Sequence, residues 1–296
     1  MTKPRTLGFF GEIMNYAVVD IGSNSLRLLV FDDEREIELG PLETVITKLG
    51  DGVKKSGVLK EERMEDSFLV FESFQRRMEQ EGVQEVYAFC TSAVRGAKNG
   101  EDFAQEIRDR FGWKVEIIDG EEEALSGFLG ATYSFKDEPI TLVDIGGGST
   151  EIIQGTKEID HKKSIEIGAL KYSEEPVDLK ELFLDLPELH GRLVGIGGTI
   201  TTVAAMLLKL ETYQRDAVQG LRFKTERLKD FAKELEPMTE EEIMAMPGID
   251  PKRASIIRGG LAILIHLLDA LGAEELTISD YGNLEGYALK NVLCRN

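Results

Sequence analysis

Short apolar runs alternate along the chain with stretches in which apolar residues recur at i, i+3 and i+4, which is typical of an α/β protein. We interpret the apolar runs bounded by Gly and Asp as strands and the amphipathic stretches as helices. In the N-terminal half, the pattern predicts strands near 16–21, 25–31, 43–48, 85–90 and 114–118 and helices near 61–81, 98–111 and 121–133.

The C-terminal half repeats this order of elements, which indicates an internal duplication. We therefore predict two ribonuclease-H-like (actin-like ATPase) domains, each a mixed sheet with flanking helices, with a cleft between them. They are expected at residues 1–134, with 1–14 as an unassigned extension, and at 135–296, with a helical insert at about 211–271. The predicted strands of this half lie near 140–145, 149–154, 159–167, 192–196 and 275–279, and the helices near 171–185, 199–209 and 283–293.

Two segments of the halves also match letter by letter. Residues 17–30 read AVVDIGSNSLRLLV and residues 141–154 read TLVDIGGGSTEIIQ, so each is a strand, a tight polar turn and a second strand. Such a turn exposes backbone N–H groups that bind anions, although ordinary hairpin turns use the same residues. Neither turn matches the P-loop or the dinucleotide-binding pattern. Because the turn occurs twice, we predict two phosphate-binding loops, made of Gly22, Ser23, Asn24, Ser25, Gly146, Gly147, Gly148 and Ser149.

The two copies differ at an informative position, where Arg27 in the first corresponds to Glu151 in the second. A guanidinium can bind phosphate oxygens through two hydrogen bonds. Asp144 and Glu151, in contrast, offer the hard oxygen ligands that Mg²⁺ prefers, and Asp20 is the counterpart of Asp144 in the first copy. Solvated strand residues are the alternative for Arg27 and Glu151. The difference predicts that one loop binds phosphate and the other holds the metal.

A further motif, CTSAVRG, follows the apolar strand EVYAF. It places Thr91, Ser92 and Arg95 at the carboxyl end of a strand, where α/β sheets commonly bind ligands. We expect Arg95 to bind phosphate and Cys90 to be a small core residue. Thr91 and Ser92 either contact substrate or cap a turn.

The motif GIGGTITT leads from a strand into a helix that begins near Thr199. Free amides at a helix start, preceded by Gly197 and Gly198, form a third candidate site for an anion or a nucleotide. Close packing of the strand against the helix is the alternative explanation of these glycines.

Three consecutive glutamates, Glu121, Glu122 and Glu123, open another predicted helix in the sequence DGEEEALSG. Carboxylates at a helix start are favoured by the helix dipole alone. Successive helical positions point in different directions, and spacing does not tell which glutamate faces a ligand. One of them would suit a general base that takes a proton from water.

Composition narrows the class of protein. The formal net charge of −19 and the sequence pI of about 4.7 argue against general nucleic-acid binding. An anionic substrate must be captured by local groups, because the overall field opposes it. The chain has two cysteines, in no metal-ligand spacing. With no secretory leader and no long uninterrupted apolar stretch, this predicts a cytoplasmic protein without a membrane segment.

The motifs DIGSNS, TSAVR, GEEEA, DIGGGSTE and GIGGT occur in this order, followed by PGIDPKRASIIRGG and SDYGNLEG. With them the chain resembles, over about residues 15–290, the exopolyphosphatase and guanosine pentaphosphate phosphohydrolase (Ppx/GppA) family of the actin, hexokinase and Hsp70 superfamily, in a short two-domain form. The resemblance implies an acid anhydride hydrolase that removes terminal orthophosphate from inorganic polyphosphate, or from pppGpp of the stringent response, or from both.

The resemblance also implies roles for individual residues. Glu123, which directly precedes the alanine of the EEA motif, and Glu151 become the catalytic carboxylates. Asp144 becomes a ligand of Mg²⁺ or another divalent cation, and Arg95 a substrate ligand. The two turns, 22–27 and 146–149, become phosphate loops.

Two departures from the family pattern bear on the substrate. Leu284 stands where the family usually has arginine, and Lys171 replaces another arginine. Lysine keeps the charge but not the bidentate fork, so the grip on polyphosphate is expected to be altered. A non-catalytic sensor of (p)ppGpp or polyphosphate and an ATPase or kinase of the superfamily remain alternatives. Substrate preference and the formation of a homodimer are left open.

Overall fold

The structure of the protein is a computed structural model that describes residues 14–32, 42–135 and 138–293, without the side chain of Lys54. Most of the predicted N-terminal extension lies outside these residues. The chain divides into two compact units, the first made of Met1–Ala124 and Tyr287–Asn296 and the second of Leu125–Gly286.

The first unit contains a five-stranded sheet in the order β3-β2-β1-β4-β5. The strands β1, β2 and β3 are antiparallel neighbours, whereas β4 and β5 continue the sheet in parallel to β1. The sequence of β1 is nearly continuously apolar because both faces of this central strand are buried. The strands are β1 (Asn15–Ile21), β2 (Ser25–Asp32), β3 (Glu43–Ile46), β4 (Glu85–Cys90) and β5 (Lys114–Ile117).

Helices cover this sheet with an aromatic core. The longest helix buries Phe68, Phe71, Phe74 and Met78, which recur every three or four residues on one face. The ring of Phe71 meets that of Trp113 edge to face, with centroids 5.4 Å apart. The helices are α1 (Val53–Ser56), α2 (Glu61–Gln80), α3 (Ser92–Arg95), α4 (Gly100–Phe111) and α5 (Gly120–Thr132).

The second unit contains a six-stranded sheet in the order β10-β11-β9-β6-β7-β8. Read from the other edge, its first five strands follow the order β8-β7-β6-β9-β11. This order corresponds to β3-β2-β1-β4-β5 of the first sheet, with the same antiparallel and parallel neighbours. This confirms the prediction of a duplicated fold with two mixed sheets. The strands are β6 (Ile140–Ile145), β7 (Thr150–Gly155), β8 (Ile159–Ile165), β9 (Arg192–Ile196), β10 (Arg222–Lys224) and β11 (Glu275–Ile278).

Two predicted elements of this unit were wrong in detail. The single helix predicted at 171–185 is two short helices, because Pro176 between them lacks an N–H and restricts the residue before it. The insert predicted to be helical also contains β10, which is only three residues long and too short to show a periodic pattern. The helices are α6 (Ala169–Glu174), α7 (Leu179–Leu182), α8 (Gly197–Leu208), α9 (Arg215–Val218), α10 (Thr225–Leu235), α11 (Glu240–Met244), α12 (Ile257–Ala270) and α13 (Asn283–Asn291).

The division between the units falls within α5 and α13, away from the domain boundary expected at 134/135.

Glycines explain the packing of the second unit. A β-carbon at Gly130 would lie 2.0 Å from the carbonyl oxygen of Gly282, and one at Gly286 would lie 1.7 Å from that of Ser126. Later in α13, Tyr287 stacks on Phe89 of the first unit, with ring centroids 4.5 Å apart.

The glycine contact leads to a test of this packing. Gly286→Ala is expected to lower the free energy of unfolding by about 1–3 kcal/mol or more, because the added methyl group overlaps a backbone carbonyl. Gly282→Ala is the matched control, because its β-carbon would meet nothing within 4 Å. Urea unfolding of both variants measures the effect. Equal stability of the two would contradict the close packing.

Candidate functional site

The two hairpin turns share one hydrogen-bond frame. The amide of Gly22 donates to the carbonyl of Ser25 at 3.1 Å, and that of Gly146 donates to the carbonyl of Ser149 at 2.9 Å. The turns close in the same way although their central residues differ. The structure therefore gives both predicted phosphate loops the same backbone geometry.

A following segment holds the carbonyl groups of each turn from behind. In the first turn, the amide of Lys48 donates to Asn24 at 3.0 Å and that of Gly50 donates to Ser23 at 2.7 Å. In the second turn, the amides of Ala169 and Leu170, at the start of α6, donate to the carbonyls of Gly146 and Gly147. The turn carbonyls are thus fixed, and the turns cannot easily collapse.

The amides at the tips of the turns are left for a ligand. Within the part of the chain that the structure describes, the N–H groups of Ser23, Asn24, Gly147 and Gly148 donate to no protein acceptor. Gly147 and Gly148 are also exposed. Successive free amides in a turn form a concave anion-binding surface, and this is the property that was predicted for both loops.

The strands that flank each turn carry the difference between the copies. Asp20 lies directly opposite Arg27 in the register of β1 and β2, and their side chains form an ion pair at 3.1 Å. Asp144 lies opposite Glu151 at the equivalent place in β6 and β7. The first hairpin thus neutralises its carboxylate, whereas the second places two carboxylates side by side.

The charge of the second pair is uncompensated. No Lys or Arg forms an ion pair with Asp144 or Glu151 among the described residues, although the hydroxyl of Ser164 donates to Glu151 at 3.1 Å. Burial, together with the negative charge of Glu151, raises the pKa of Asp144 to about 6. A cation beside this pair would lower the cost of keeping both groups ionised.

The donors of the pair fit a hard divalent cation. Carboxylate oxygens are the ligands that Mg²⁺ favours, and this ion commonly uses one or two carboxylates and keeps its other positions for water and phosphate oxygens. In the described ranges, no group of three or more His, Cys, Asp or Glu side chains could form a complete cage.

The start of α8 lies against this pair. Gly197 has a φ of +83°, and a β-carbon there would lie 2.1 Å from Oδ1 of Asp144, so only glycine fits. The hydroxyl of Thr199 donates to the carbonyl of Ile145 at 3.0 Å. The helix start thus packs closely on the strand, which supports the packing interpretation of the GIGGT motif, whereas the anion-site interpretation stays a prediction.

Sequence reasoning did not assign a role to Arg253. A β-carbon at Gly198 would lie 2.1 Å from Nη2 of Arg253, so the guanidinium rests on the start of α8. Among the described residues it forms no ion pair with a carboxylate. The only sequence signal was its place in PGIDPKRASIIRGG, and its contact with Gly198 appears only in the folded chain.

The first unit brings the CTSAVR motif to its own phosphate turn. The hydroxyls of Ser92 and Ser23 are 2.9 Å apart, and the amide of Thr91 donates to the carbonyl of Ile21 at 3.3 Å. Thr91 is buried and its side chain makes no capping hydrogen bond. Ser92 is thus the member of this motif that the structure places beside the turn.

Arg95 holds Glu123. Its Nη1 donates to the carbonyl of Ile118 at 2.6 Å and to the Glu123 carboxylate at 3.1 Å. The backbone contact fixes the guanidinium, and the guanidinium then fixes the carboxylate. Arg95, expected to bind phosphate, therefore also positions the glutamate that the family resemblance singled out.

The structure separates the three glutamates that spacing left equivalent. Asp119 caps α5 by accepting from the amides of Glu121 and Glu122, and the hydrogen bond from Glu122 holds the pKa of Asp119 below its usual value. Glu121 is exposed, and Glu122 is paired with Lys290 at 2.9 Å. Glu123 is the one that lies against Arg95.

The two departures from the family pattern have different surroundings. Lys171 is exposed and donates to the carbonyl of Glu166 at 2.7 Å. Leu284 is buried, whereas the adjacent Glu285 forms an ion pair with Arg215. Arg215 thus supplies, from a distant point of the chain, a guanidinium beside the segment that lacks the usual family arginine.

The profile of the Ppx/GppA phosphatase family matches residues 41–294 of the chain. The chain belongs to this family. Exopolyphosphatase 2 of Mycobacterium tuberculosis is 29% identical to this family member, over 92% of the chain and 97% of that protein. A bifunctional 3-dehydroquinate synthase/phosphatase of Fusobacterium nucleatum is 31% identical over 93% of the chain, which spans only 46% of that longer relative.

Solved structures agree with this assignment. The crystal structure of the Ppx/GppA family member of Aquifex aeolicus has a TM-score of 0.83 and 29% identity, over 96% of the present chain and 99% of that one. The crystal structure of its type II variant has a TM-score of 0.85 and 28% identity, over 95% of the present chain and 100% of that one. Membership in the family and the exopolyphosphatase relatives support a phosphohydrolase activity for this Ppx/GppA protein. Among its described helices, none is long and apolar enough to cross a membrane.

The position of Cys90 predicts the reactivity of its thiol. Cys90 is fully buried at the end of β4, and burial raises the pKa of its thiol to about 12. We expect Cys90 in a Cys294→Ser variant to be unreactive toward Ellman's reagent at about pH 8, because almost no thiolate is present. Rapid labelling of the native variant would contradict the core assignment, and labelling after unfolding in urea is the positive control.

The two hairpins predict opposite effects of the same substitution. In EDTA at about pH 8, Asp144→Asn should raise the free energy of unfolding by about 1–3 kcal/mol, because it removes an uncompensated, half-buried charge. Asp20→Asn is the matched control and should lower it by about 1–3 kcal/mol, because it breaks an ion pair. Urea unfolding measures both values. A shift of the same sign in both variants would contradict the assigned difference in charge.

The pH dependence follows from the raised pKa of Asp144. Since the native pKa of about 6 exceeds the usual value of 3.8, ionisation of Asp144 costs stability above about pH 6, and this cost disappears below 3.8. The advantage of Asp144→Asn should therefore shrink as the pH falls through this range. Adding Mg²⁺ should stabilise the wild type more than this variant, because ligand binding adds to native-state stability.

Proposed function

We propose that this chain is a Mg²⁺-dependent phosphohydrolase that releases terminal orthophosphate from inorganic polyphosphate, from pppGpp, or from both. The observation that carries the proposal is the pair Asp144 and Glu151, which has no cationic partner among the described residues and flanks a turn with free amides. The similarity to an exopolyphosphatase of M. tuberculosis supports the choice of substrate class.

Asp144 and Glu151 are proposed to hold the divalent cation. When bound, this ion neutralises charge on the phosphate oxygens and makes the phosphorus more electrophilic. The amides of Gly147 and Gly148 donate hydrogen bonds to the same class of oxygens. Asp20 is a weaker candidate as a ligand, because Arg27 already supplies its counter-charge at 3.1 Å.

Glu123 is proposed to act as the general base. It accepts a proton from water as the water oxygen forms a bond to the terminal phosphorus, and the bridging P–O bond breaks. The electron pair of that bond leaves with the shortened chain. Arg95 orients the carboxylate of Glu123 through a hydrogen bond from its Nη1.

The remaining groups of the first unit bind substrate. In the described part of the chain, Ile118 and Glu123 engage only Nη1 of Arg95, so Nη2 can donate to a phosphate oxygen. The amides of Ser23 and Asn24 offer further donors at the first turn. Positioning and electrostatic stabilisation would then supply most of the rate gain.

The central prediction concerns two glutamates on one helical turn. Glu123→Gln should lower kcat for phosphate release by about 10²–10⁴-fold, because a general base is lost while the shape of the side chain is retained. Glu121→Gln, at an exposed position of the same turn, should keep nearly full activity. Orthophosphate release from polyphosphate and from pppGpp, with Mg²⁺ and with EDTA, measures both.

The same assays separate the alternatives. If the wild type releases no phosphate from either substrate but binds guanosine tetraphosphate or polyphosphate tightly, the protein is a non-catalytic sensor and the proposed hydrolase activity is wrong. Formation of ADP from ATP in preference to phosphate release from the two proposed substrates would favour an ATPase or kinase. A Glu123→Gln variant as active as Glu121→Gln would remove the general base from the mechanism.

A further inference from the structure

A cavity of about 700 Å³ lies beside the phosphate turn of the first unit. It is bordered by the side chains of Ser23 and Ser92 and by the segment between β3 and α2, including Gly50, Lys55 and Gly57. Its volume is in the range of about 300–1,000 Å³ that is usual for small-molecule sites. No step of the proposed hydrolysis uses this space.

The walls of the cavity are held in place by hydrogen bonds. The amide of Gly50 donates to the carbonyl of Ser23 at 2.7 Å, and the amide of Lys98 donates to the carbonyl of Gly57 at 2.8 Å. The hydroxyls of Ser23 and Ser92 are 2.9 Å apart on another side. The cavity is therefore preformed, and a ligand would not have to order its walls.

The charge of the cavity is opposite to that of the protein. Asp51 is the acidic residue of its lining, and Lys60 neutralises it through an ion pair at 2.7 Å. Lys55 lines the cavity, and the side chain of Lys98 comes within 3.7 Å of a β-carbon built on Gly57. In the described ranges neither Lys55 nor Lys98 is ion-paired with a carboxylate. A local positive charge thus survives in a chain with a net charge of −19.

The chemistry of the lining favours a phosphate chain over a nucleoside. Besides the apolar Val53 and Ala93, the described residues of the lining are glycines, serines, Asp51 and Lys55, and none of them has an aromatic side chain on which a base could stack. Lysine ammonium groups act as point charges on flexible stems and do not require a fixed bidentate geometry. A flexible polyanion with many equivalent oxygens suits such groups.

We infer that this cavity is a subsite for the part of the inorganic polyphosphate chain that continues beyond the phosphate bound at the first turn, with Lys55 and Lys98 as its cations. The inference rests on the proposed function and adds a place for the part of the substrate that is not cleaved. Because the serine hydroxyls border both the turn and the cavity, a chain held at the turn continues directly into it.

The test measures binding without turnover. Calorimetric titration in EDTA should show that Lys55→Ala and Lys98→Ala each weaken the binding of medium-chain polyphosphate by about two- to fivefold. The double variant should also show a shallower dependence of the binding constant on salt, because fewer counterions are released. Binding of orthophosphate, which occupies the turn alone, should not change.

The control is Lys180→Ala, which removes the same charge from an exposed position of the second unit. It should leave polyphosphate binding within the error of the wild type. An equal loss of polyphosphate affinity in Lys180→Ala would show that the effect comes only from the overall charge of the protein. Unchanged affinity in the double variant would show that polyphosphate does not bind in the cavity. Either result overturns the subsite. A selective loss of GTP binding in place of polyphosphate binding overturns it as well.

The outcomes also separate this inference from the proposed function. If the wild type hydrolyses pppGpp but does not bind polyphosphate, the subsite is wrong and the phosphohydrolase stands. If polyphosphate binding depends on Lys55 and Lys98 but no phosphate is released with Mg²⁺, the subsite stands and the proposed hydrolysis is wrong.

Discussion

The chemistry of the molecule depends on which side chain faces an aspartate across a hairpin. Both sheets bring an aspartate at the end of the central strand opposite one residue of the neighbouring strand, at the same register. In the first copy that residue is Arg27, and the charge is neutralised at once. In the second it is Glu151, and two half-buried carboxylates lie at the same edge. This pair supplies the carboxylate oxygens that the proposed divalent cation would bind.

The fold makes this edge rigid. The strands that bear the aspartates have buried neighbours on both sides, and backbone hydrogen bonds hold each turn from behind. Gly197, with its positive φ, lets α8 begin directly beside Asp144. Each contact is made by backbone or by a small residue. The site is therefore preorganised by the main chain, and few long side chains have to be fixed in place.

The sequence predicted the duplicated fold and the positions of its two hairpin turns well, because both are encoded locally. Apolar runs show the strands, and DIGSNS and DIGGGS show the turns. The contacts between distant residues were not predictable. The spacing of the three glutamates does not indicate that Glu123 is the one that pairs with Arg95. The sequence around Arg253 does not indicate that its guanidinium contacts Gly198. The three-residue strand β10 was missed for a related reason, because it is defined by its pairing with β11, which is remote in sequence.

The proposed cations of the cavity, Lys55 in its lining and the nearby Lys98, would have a kinetic consequence. A polyanion approaching a chain of net charge −19 is repelled at long range, and this repulsion is screened beyond a Debye length of about 8 Å at physiological ionic strength. The attraction of Lys55 and Lys98 acts only inside that distance. In the proposed subsite, encounter with a polyphosphate chain would thus be governed by the salt around the protein, whereas retention would be governed by a few groups at the cavity. Moderate salt would speed the arrival of a long phosphate chain and, at the same time, shorten its stay.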